Sequence, residues 1–180
     1  GQWKAELDRF SDRFDVIAPD LPGFGNAAHL PSADRIGTFA QAIVELMDDL
    51  GLGRVMLLGH SMGGMIVQEL AARHGHRIER LVLYGTGPLG LMPDRLEPLE
   101  TSRERSRAGG VGHTVRRIGA TWFRDGDRAA GFDVVAALGA QASQAAALAG
   151  LDAMAHWDGR GQMQSLTMPT LVLWGDGDRS

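Results

Sequence analysis

The chain has 180 residues, of which 44% are hydrophobic and 22% charged, and its formal net charge is -4. These values fit a globular domain with a real core and argue against a nucleic acid as the main partner. The sequence has no cysteine, which excludes disulfides and thiolate metal ligands, and its six histidines lack a metal-binding spacing. We expect no cofactor and no metal. Because no apolar run is long enough to span a bilayer, we also expect no membrane partner and a cytoplasmic location.

The first segment predicts a helix followed by a short strand. Apolar residues recur at near-helical spacing within residues 1–14, and residues 14–18 read as a strand that Pro19 ends. Asp20 follows that strand, where a catalytic acid would be one interpretation. The favoured interpretation is a carboxylate that binds backbone N–H groups of its own loop.

A second helix is predicted from residue 38 onwards. Thr38 and Gln41 match a capping box, and Gly51 and Gly53 end the helical pattern. The apolar face of this helix is predicted to contain Phe39, Ala40, Ile43, Met47 and Leu50.

The most informative stretch lies between a buried strand at residues 55–58 and a helix at residues 65–73. There, residues 59–63 read G-x-S-x-G in a strand–turn–helix context. A nucleophile on such a turn needs strained backbone angles, and Gly59 and Gly63 would let the strand and helix approach closely. The helix N-terminus favours a developing oxyanion. We therefore predict Ser61 as the nucleophile and the N–H of Met62 as an oxyanion donor. His60 is predicted to pack beside this turn rather than to act as the base.

Strands and helices then alternate, until the strand pattern stops near residue 89. A strand at residues 81–84 extends the alternation and predicts a parallel sheet. Helices are predicted at residues 115–123 and 132–154, with glycines breaking the pattern near residue 110. A last strand at residues 170–174 leads into Gly175-Asp176-Gly177-Asp178. Four apolar residues of the helical region either line a pocket or pack against the sheet: Trp122, Phe123, Met154 and Trp157.

Three stretches together resemble the α/β-hydrolase family. Residues 59–64, Gly-His-Ser-Met-Gly-Gly, look like its nucleophile elbow; residues 14–25 are similar to its fourth strand and following loop; and residues 168–178 resemble the strand and loop that carry the triad acid. The resemblance implies an α/β fold, with a mostly parallel sheet, flanking helices and a helical cap. The implied domains are residues 1–88 (first part of the core), 89–166 (cap) and 167–180 (core with the acid). Asp178 is the implied triad acid, with Asp176 as the fallback.

The family's chain order also implies parts that these residues do not supply. The triad histidine follows the acid in that order, and the family's oxyanion loop precedes the first helix. We therefore expect residues 1–180 to be part of a longer hydrolase domain, with a gap in the sheet between the strand at residues 14–18 and the strand at residues 55–58. On this expectation the isolated chain would be inactive and poorly stable.

The implied function is that of a serine hydrolase, which forms an acyl-enzyme on Ser61 with a small ester, lactone or thioester. A serine at the elbow, rather than an aspartate, argues against members that dehalogenate or open epoxides. One alternative is a C–C bond hydrolase of ring-fission products, although such members often carry Asn where this chain has His60. The other is a non-catalytic ligand-binding module on the same fold. A small-molecule substrate is expected; its identity and the oligomeric state stay open.

Overall fold

A parallel sheet of three strands organises the chain, with the strands side by side in sequence order. The computed structural model describes residues 1–91 and 97–178. The strands are β1 (Val55–His60), β2 (Ile78–Tyr84) and β3 (Thr170–Leu173), and both pairings are parallel. The helices are α1 (Lys4–Phe10), α2 (Ile36–Asp49), α3 (Met62–Arg73), α4 (Leu99–Ala120), α5 (Phe132–Gly139) and α6 (Gln144–Ala155). Short 3-10 helices lie at Gly25–Ala27, Gly75–Arg77, Gly126–Arg128 and Arg160–Ser165. The predicted α/β class with a parallel sheet and flanking helices is confirmed.

The chain divides into two compact units. One comprises Gly1–Ser32 and Glu100–Ala147, and the other comprises Ala33–Leu99 and Leu148–Ser180. The predicted boundaries at residues 88/89 and 166/167 stay a prediction, and residues 92–96 of the predicted cap lie outside the described residues.

The core of the second unit forms where α3 packs against α2, β1 and β2. Every residue of α3 from position 64 to position 71 is buried, as is typical of a helix covered on all sides. Phe39, Leu70, Ile78 and Leu81 are at most 1% exposed. Burial of such large apolar side chains stabilises a fold by about 1.5–3 kcal/mol each.

A buried carboxylate joins α3 to the segment after α6. Glu69 is 3% exposed, forms an ion pair with Arg73 and accepts a hydrogen bond of 3.0 Å from the indole Nε1–H of Trp157. These partners offset the cost of removing the carboxylate from water. Trp157, which is itself 8% exposed, therefore packs against α3. Of the two interpretations of this tryptophan, the structure supports packing.

Helix α2 is correctly predicted, but its start is not. It begins at Ile36, and Arg35 precedes it without a side-chain cap. The predicted capping box is wrong because Thr38 and Gln41 lie inside the helix, where the Gln41 amide donates to Glu45 at 3.1 Å. Ile36, 2% exposed, extends the apolar face by one turn at the N-terminal end. The buried face consists of Ile36, Phe39, Ala40, Val44 and Met47, while the predicted Leu50 is exposed.

The first unit contains α1, as predicted, but residues 14–18 form no strand. A strand is defined by backbone hydrogen bonds to a neighbouring strand, and residues 14–18 take part in no such pairing among the described residues. The interpretation of Asp20 as a loop carboxylate is confirmed. Its Oδ2 accepts hydrogen bonds from the backbone N–H of Asn26 at 2.9 Å and from the Asn26 side-chain amide at 3.0 Å.

The helical region after residue 98 agrees with the prediction at one point and differs from it at another. Gly110 (φ 78°, ψ 164°) interrupts α4, which confirms the predicted break near that position. The stretch at residues 132–154 holds two helices, α5 and α6, and the Ser143 hydroxyl accepts a hydrogen bond from the Ala146 N–H near the start of α6. Among the described residues, no single helix is long and apolar enough to cross a membrane; α5 and α6 reach that length and hydropathy together, as a bent pair and on composition alone.

Candidate active site

Ser61 lies between the last residue of β1 and the first residue of α3, with φ 52° and ψ -122°. It is the one non-glycine residue with a positive φ within residues 1–91 and 97–178. Such a conformation costs about 1–3 kcal/mol and persists only where the surroundings impose it. The predicted strained backbone at this turn is confirmed.

Hydrogen bonds on both sides of Ser61 hold this conformation. Its N–H donates to the carbonyl of Tyr84, at the end of β2, at 3.1 Å. Its own carbonyl accepts from the Gly64 N–H at 2.8 Å and from the Thr86 hydroxyl at 2.9 Å. The backbone of the serine is thus tied both to its own helix and to the neighbouring strand.

Steric crowding explains the glycines at positions 59 and 64 of this turn, but it does not explain Gly63. A methyl group on Gly59 would lie 2.6 Å from Val67 Cγ2, and one on Gly64 would lie 2.6 Å from Thr86 Oγ1. A methyl group on Gly63 would meet no described atom within 4 Å beyond its own turn of helix. The predicted steric role is therefore confirmed for Gly59 and wrong for Gly63: the carbonyl of Gly63, rather than its missing Cβ, faces Gly59.

The Ser61 side chain is exposed and makes no hydrogen bond at the start of α3. A serine that precedes a helix ordinarily caps it by accepting from an N–H of the first turn. Here the hydroxyl stays available, and within the described residues no hydrogen bond uses the N–H of Met62 either. A nucleophile and an oxyanion donor need these properties. The catalytic roles themselves stay a prediction.

Asp178 follows β3 on a short turn, in which its N–H donates to the Gly175 carbonyl at 3.0 Å. Ser61 follows β1, and because all three strands are parallel, both residues lie at the carboxyl edge of the sheet. One strand, β2, separates them, so their strands are about 9–10 Å apart. Asp176 is exposed on the same turn.

His60 lies in that region as well, a proximity that the sequence did not reveal. Its ring packs against Tyr84, with 4.8 Å between ring centroids, which confirms that it packs beside the elbow. A methyl group on Gly85 would lie 3.5 Å from His60 Nε2 and 3.6 Å from Asp178 Oδ2, so both side chains border the space next to Gly85. Burial lowers the pKa of His60 from 6.5, and the negative charge of Asp178 opposes that shift. Burial therefore favours the neutral form of the His60 ring.

Within residues 1–91 and 97–178, no group of three or more His, Asp or Glu side chains could hold a metal ion. The groups that the structure brings together at this edge are the Ser61 hydroxyl, the Met62 N–H, the His60 imidazole and the Asp178 carboxylate.

The comparison with protein families agrees with this architecture. Residues 1–180 match the model of the alpha/beta hydrolase fold, and the chain belongs to that family. The resemblance that the elbow and the acid turn imply is thus confirmed at the level of the family.

Particular relatives include several hydrolases. The chain is 25% identical to 3-oxoadipate enol-lactonase 2 of Acinetobacter baylyi over 98% of its length and 66% of the relative. It is 34% identical to a 2-hydroxy-6-oxononadienedioate/2-hydroxy-6-oxononatrienedioate hydrolase of a Pseudomonas species, over 47% of this chain and 30% of the relative. A thermophilic esterase from Thermogutta terrifontis, solved with malate bound, superposes with a TM-score of 0.86 at 28% identity, over 98% of this chain and 67% of that one.

The matches span only part of these relatives. The first curated relatives are matched over 25–30% of their own length. The activity, substrate and partners of the whole protein are therefore proposals.

Proposed function

We propose that the protein is a serine hydrolase that forms an acyl-enzyme on Ser61 with a small carboxylic ester, lactone or thioester. The observation that carries the proposal is the strained Ser61 at the β1–α3 turn, with an exposed hydroxyl that no capping bond occupies. An ordinary N-terminal serine of a helix has no reason to hold a positive φ and leave its hydroxyl unused.

In the proposed reaction, the Ser61 hydroxyl attacks the substrate carbonyl and a histidine takes its proton. That histidine follows the acid in the family's chain order, outside residues 1–180, and Asp178 orients it and stabilises its charged form. The N–H of Met62, at the positive end of the α3 dipole, stabilises the oxyanion. Expulsion of the alcohol or thiol leaves the acyl group on Ser61, and water attacks this ester in a second step that releases the acid.

His60 is not assigned as the base. It directly precedes Ser61 in the chain, at the end of β1, and its ring packs on Tyr84. Its proposed contribution is to fill the space beside the elbow as a neutral ring next to Asp178.

The substrate class is supported by the named activities of the relatives. An enol-lactonase and an esterase both open a carboxylic ester bond, and both are matched over 98% of this chain. The Pseudomonas relative supports a second candidate, hydrolysis of a C–C bond in a ring-fission product, on a shorter match. A small-molecule substrate and a cytoplasmic location belong to the same proposal.

The test compares three substrates on the full-length gene product: a p-nitrophenyl ester, an enol-lactone and a 2-hydroxy-6-oxodienoate. We expect turnover of the ester or the lactone, reduced about 10⁴–10⁶-fold in Ser61→Ala, as losses of a triad nucleophile typically are. Turnover of the dienoate alone would favour the C–C hydrolase. A folded protein that binds these compounds but turns over none would contradict the proposal and favour the ligand-binding module.

A further inference from the structure

Thr86 contacts the nucleophile turn from the neighbouring strand, although the proposed chemistry does not use it. It lies two residues after β2 and is 8% exposed. Its hydroxyl donates a hydrogen bond of 2.9 Å to the carbonyl of Ser61. We infer that Thr86 is a positioning residue, which holds the strained backbone of Ser61 so that the hydroxyl stays in its reactive orientation. This inference rests on the proposed function.

The glycine at position 64 of α3 leaves the space that the Thr86 side chain occupies. A methyl group on Gly64 would lie 2.5 Å from Thr86 Cβ and 2.6 Å from Thr86 Oγ1, which is closer than carbon and oxygen atoms approach. The first turn of α3 and the Thr86 side chain therefore share a space that only a glycine at position 64 leaves open.

A second buried side chain fixes the segment that carries Thr86. Gln68 is 4% exposed, and its amide Nε2 donates to the carbonyls of Gly64 and Gly87, each at 3.1 Å. One amide group thus joins the first turn of α3 to the residue that follows Thr86. The Ser61 N–H also donates to the Tyr84 carbonyl. The residues before and after Thr86 are therefore both hydrogen-bonded to the elbow or to α3.

The chemical consequence follows from the strain at Ser61. If the Thr86 hydroxyl is removed, the Ser61 carbonyl keeps its bonds from Gly64 and Met65 in its own helix but loses its side-chain donor from the β2 side. One of the hydrogen bonds that restrain the strained backbone is then missing, and Ser61 can relax toward a more common φ. A displacement of about 1 Å at a reacting group can lower a rate by about 10²-fold, so a partial relaxation has a measurable effect.

The variants for the test are Thr86→Val, which replaces the hydroxyl by a methyl group of similar size, and Thr86→Ser, which keeps the hydroxyl. Thr170→Val is the matched control. Its hydroxyl also donates to a backbone carbonyl, that of Met168 at 3.0 Å, but at the opposite end of the sheet. Each variant of the full-length gene product is assayed for kcat, KM and Tm, and crystal structures of the wild type and Thr86→Val are compared at Ser61.

We expect Thr86→Val to lower kcat about 10-fold, within the range set by small misplacements, with KM changed less than about twofold. Thr86→Ser should restore kcat, and Thr170→Val should leave it unchanged. In the crystal structure of Thr86→Val, the Ser61 φ or Oγ position should differ from that of the wild type. An unchanged kcat together with an unchanged Ser61 would overturn the inference, as would an equal loss in Thr170→Val or a failure of Thr86→Ser to restore the rate.

A failure of the proposed function can be distinguished from a failure of the inference about Thr86. If the wild type shows no turnover that depends on Ser61, the proposed function is wrong, and the position of Ser61 in the two crystal structures still decides whether Thr86 holds it.

Discussion

The turn after β1 and the turn after β3 lie at the same edge of the sheet but are built differently. At the first, Ser61 is held by hydrogen bonds from its own helix and from the segment after β2, and glycines at positions 59 and 64 allow close contacts. At the second, residues 175–178 are exposed, and a backbone bond from Asp178 to Gly175 closes the turn. The backbone of Ser61 is therefore held by contacts between α3 and the segment after β2, whereas the backbone bond at Asp178 stays within its own turn.

From this difference we expect substitutions around Ser61 to have larger effects on stability than substitutions around Asp178. The elbow resists substitution of residues around Ser61 because their atoms are in contact. For the turn at residues 175–178 we expect that substitutions around Asp178 have small effects on stability, because its residues are exposed.

Among the changes that compare these two turns, the largest effect is expected at Asp178. Asp178→Asn in the full-length gene product should lower kcat about 10⁴-fold, because the amide no longer holds the triad histidine in the right tautomer or stabilises its charge. Asp176→Asn, on the same exposed turn, should stay within a few-fold of the wild type. Ester hydrolysis under saturating substrate measures both. A larger loss in Asp176→Asn than in Asp178→Asn would assign the acid to Asp176.

An intermediate effect is expected on stability. Gly64→Ala should lower the free energy of unfolding by about 1–3 kcal/mol or more, since overpacking against the buried Thr86 outweighs the gain of about 1 kcal/mol in helix propensity. Gly177→Ala, whose methyl group would meet no described atom within 4 Å, should change it by less than about 0.5 kcal/mol.

Urea unfolding of both glycine variants provides the measurement. Equal stabilities would show that the elbow is no more tightly packed than the acid turn, and would remove the contrast between them.

The smallest effect concerns the titration of His60. Burial lowers its pKa from 6.5, and the attraction of Asp178 partly compensates, so Asp178→Asn should lower this pKa further. Asp176→Asn serves as the control and should leave it unchanged. NMR titration of the His60 ring signals measures the shift. A pKa that rises in Asp178→Asn would contradict the described proximity.

The same titration has a consequence for stability. Because burial lowers the pKa of His60 in the folded state, the unfolded chain binds this proton before the folded chain does as the pH falls. This contribution is present above pH 6.5 and is lost as the pH falls through the folded-state pKa. His60→Gln should weaken that part of the pH dependence of unfolding.

The sequence predicted those features of the structure that residues close together in the chain determine. The turn at Ser61 could be predicted because G-x-S-x-G between a strand and a helix has a steric meaning within a few residues. The end of α2 and the break at Gly110 were predicted for the same reason. Residues 14–18 were predicted wrongly because a strand depends on a partner elsewhere in the chain. Thr86 was missed for a related reason: it contacts the elbow from a position 25 residues further along the chain.

The central claim, that Ser61 is an activated nucleophile, is tested most directly by labelling with a fluorophosphonate probe and mapping the modified residue by mass spectrometry. We predict that the probe modifies Ser61 in the folded full-length gene product, and that the label is absent from Ser61→Ala. A folded protein with no label on Ser61, or a label that persists undiminished in Ser61→Ala, would contradict the claim.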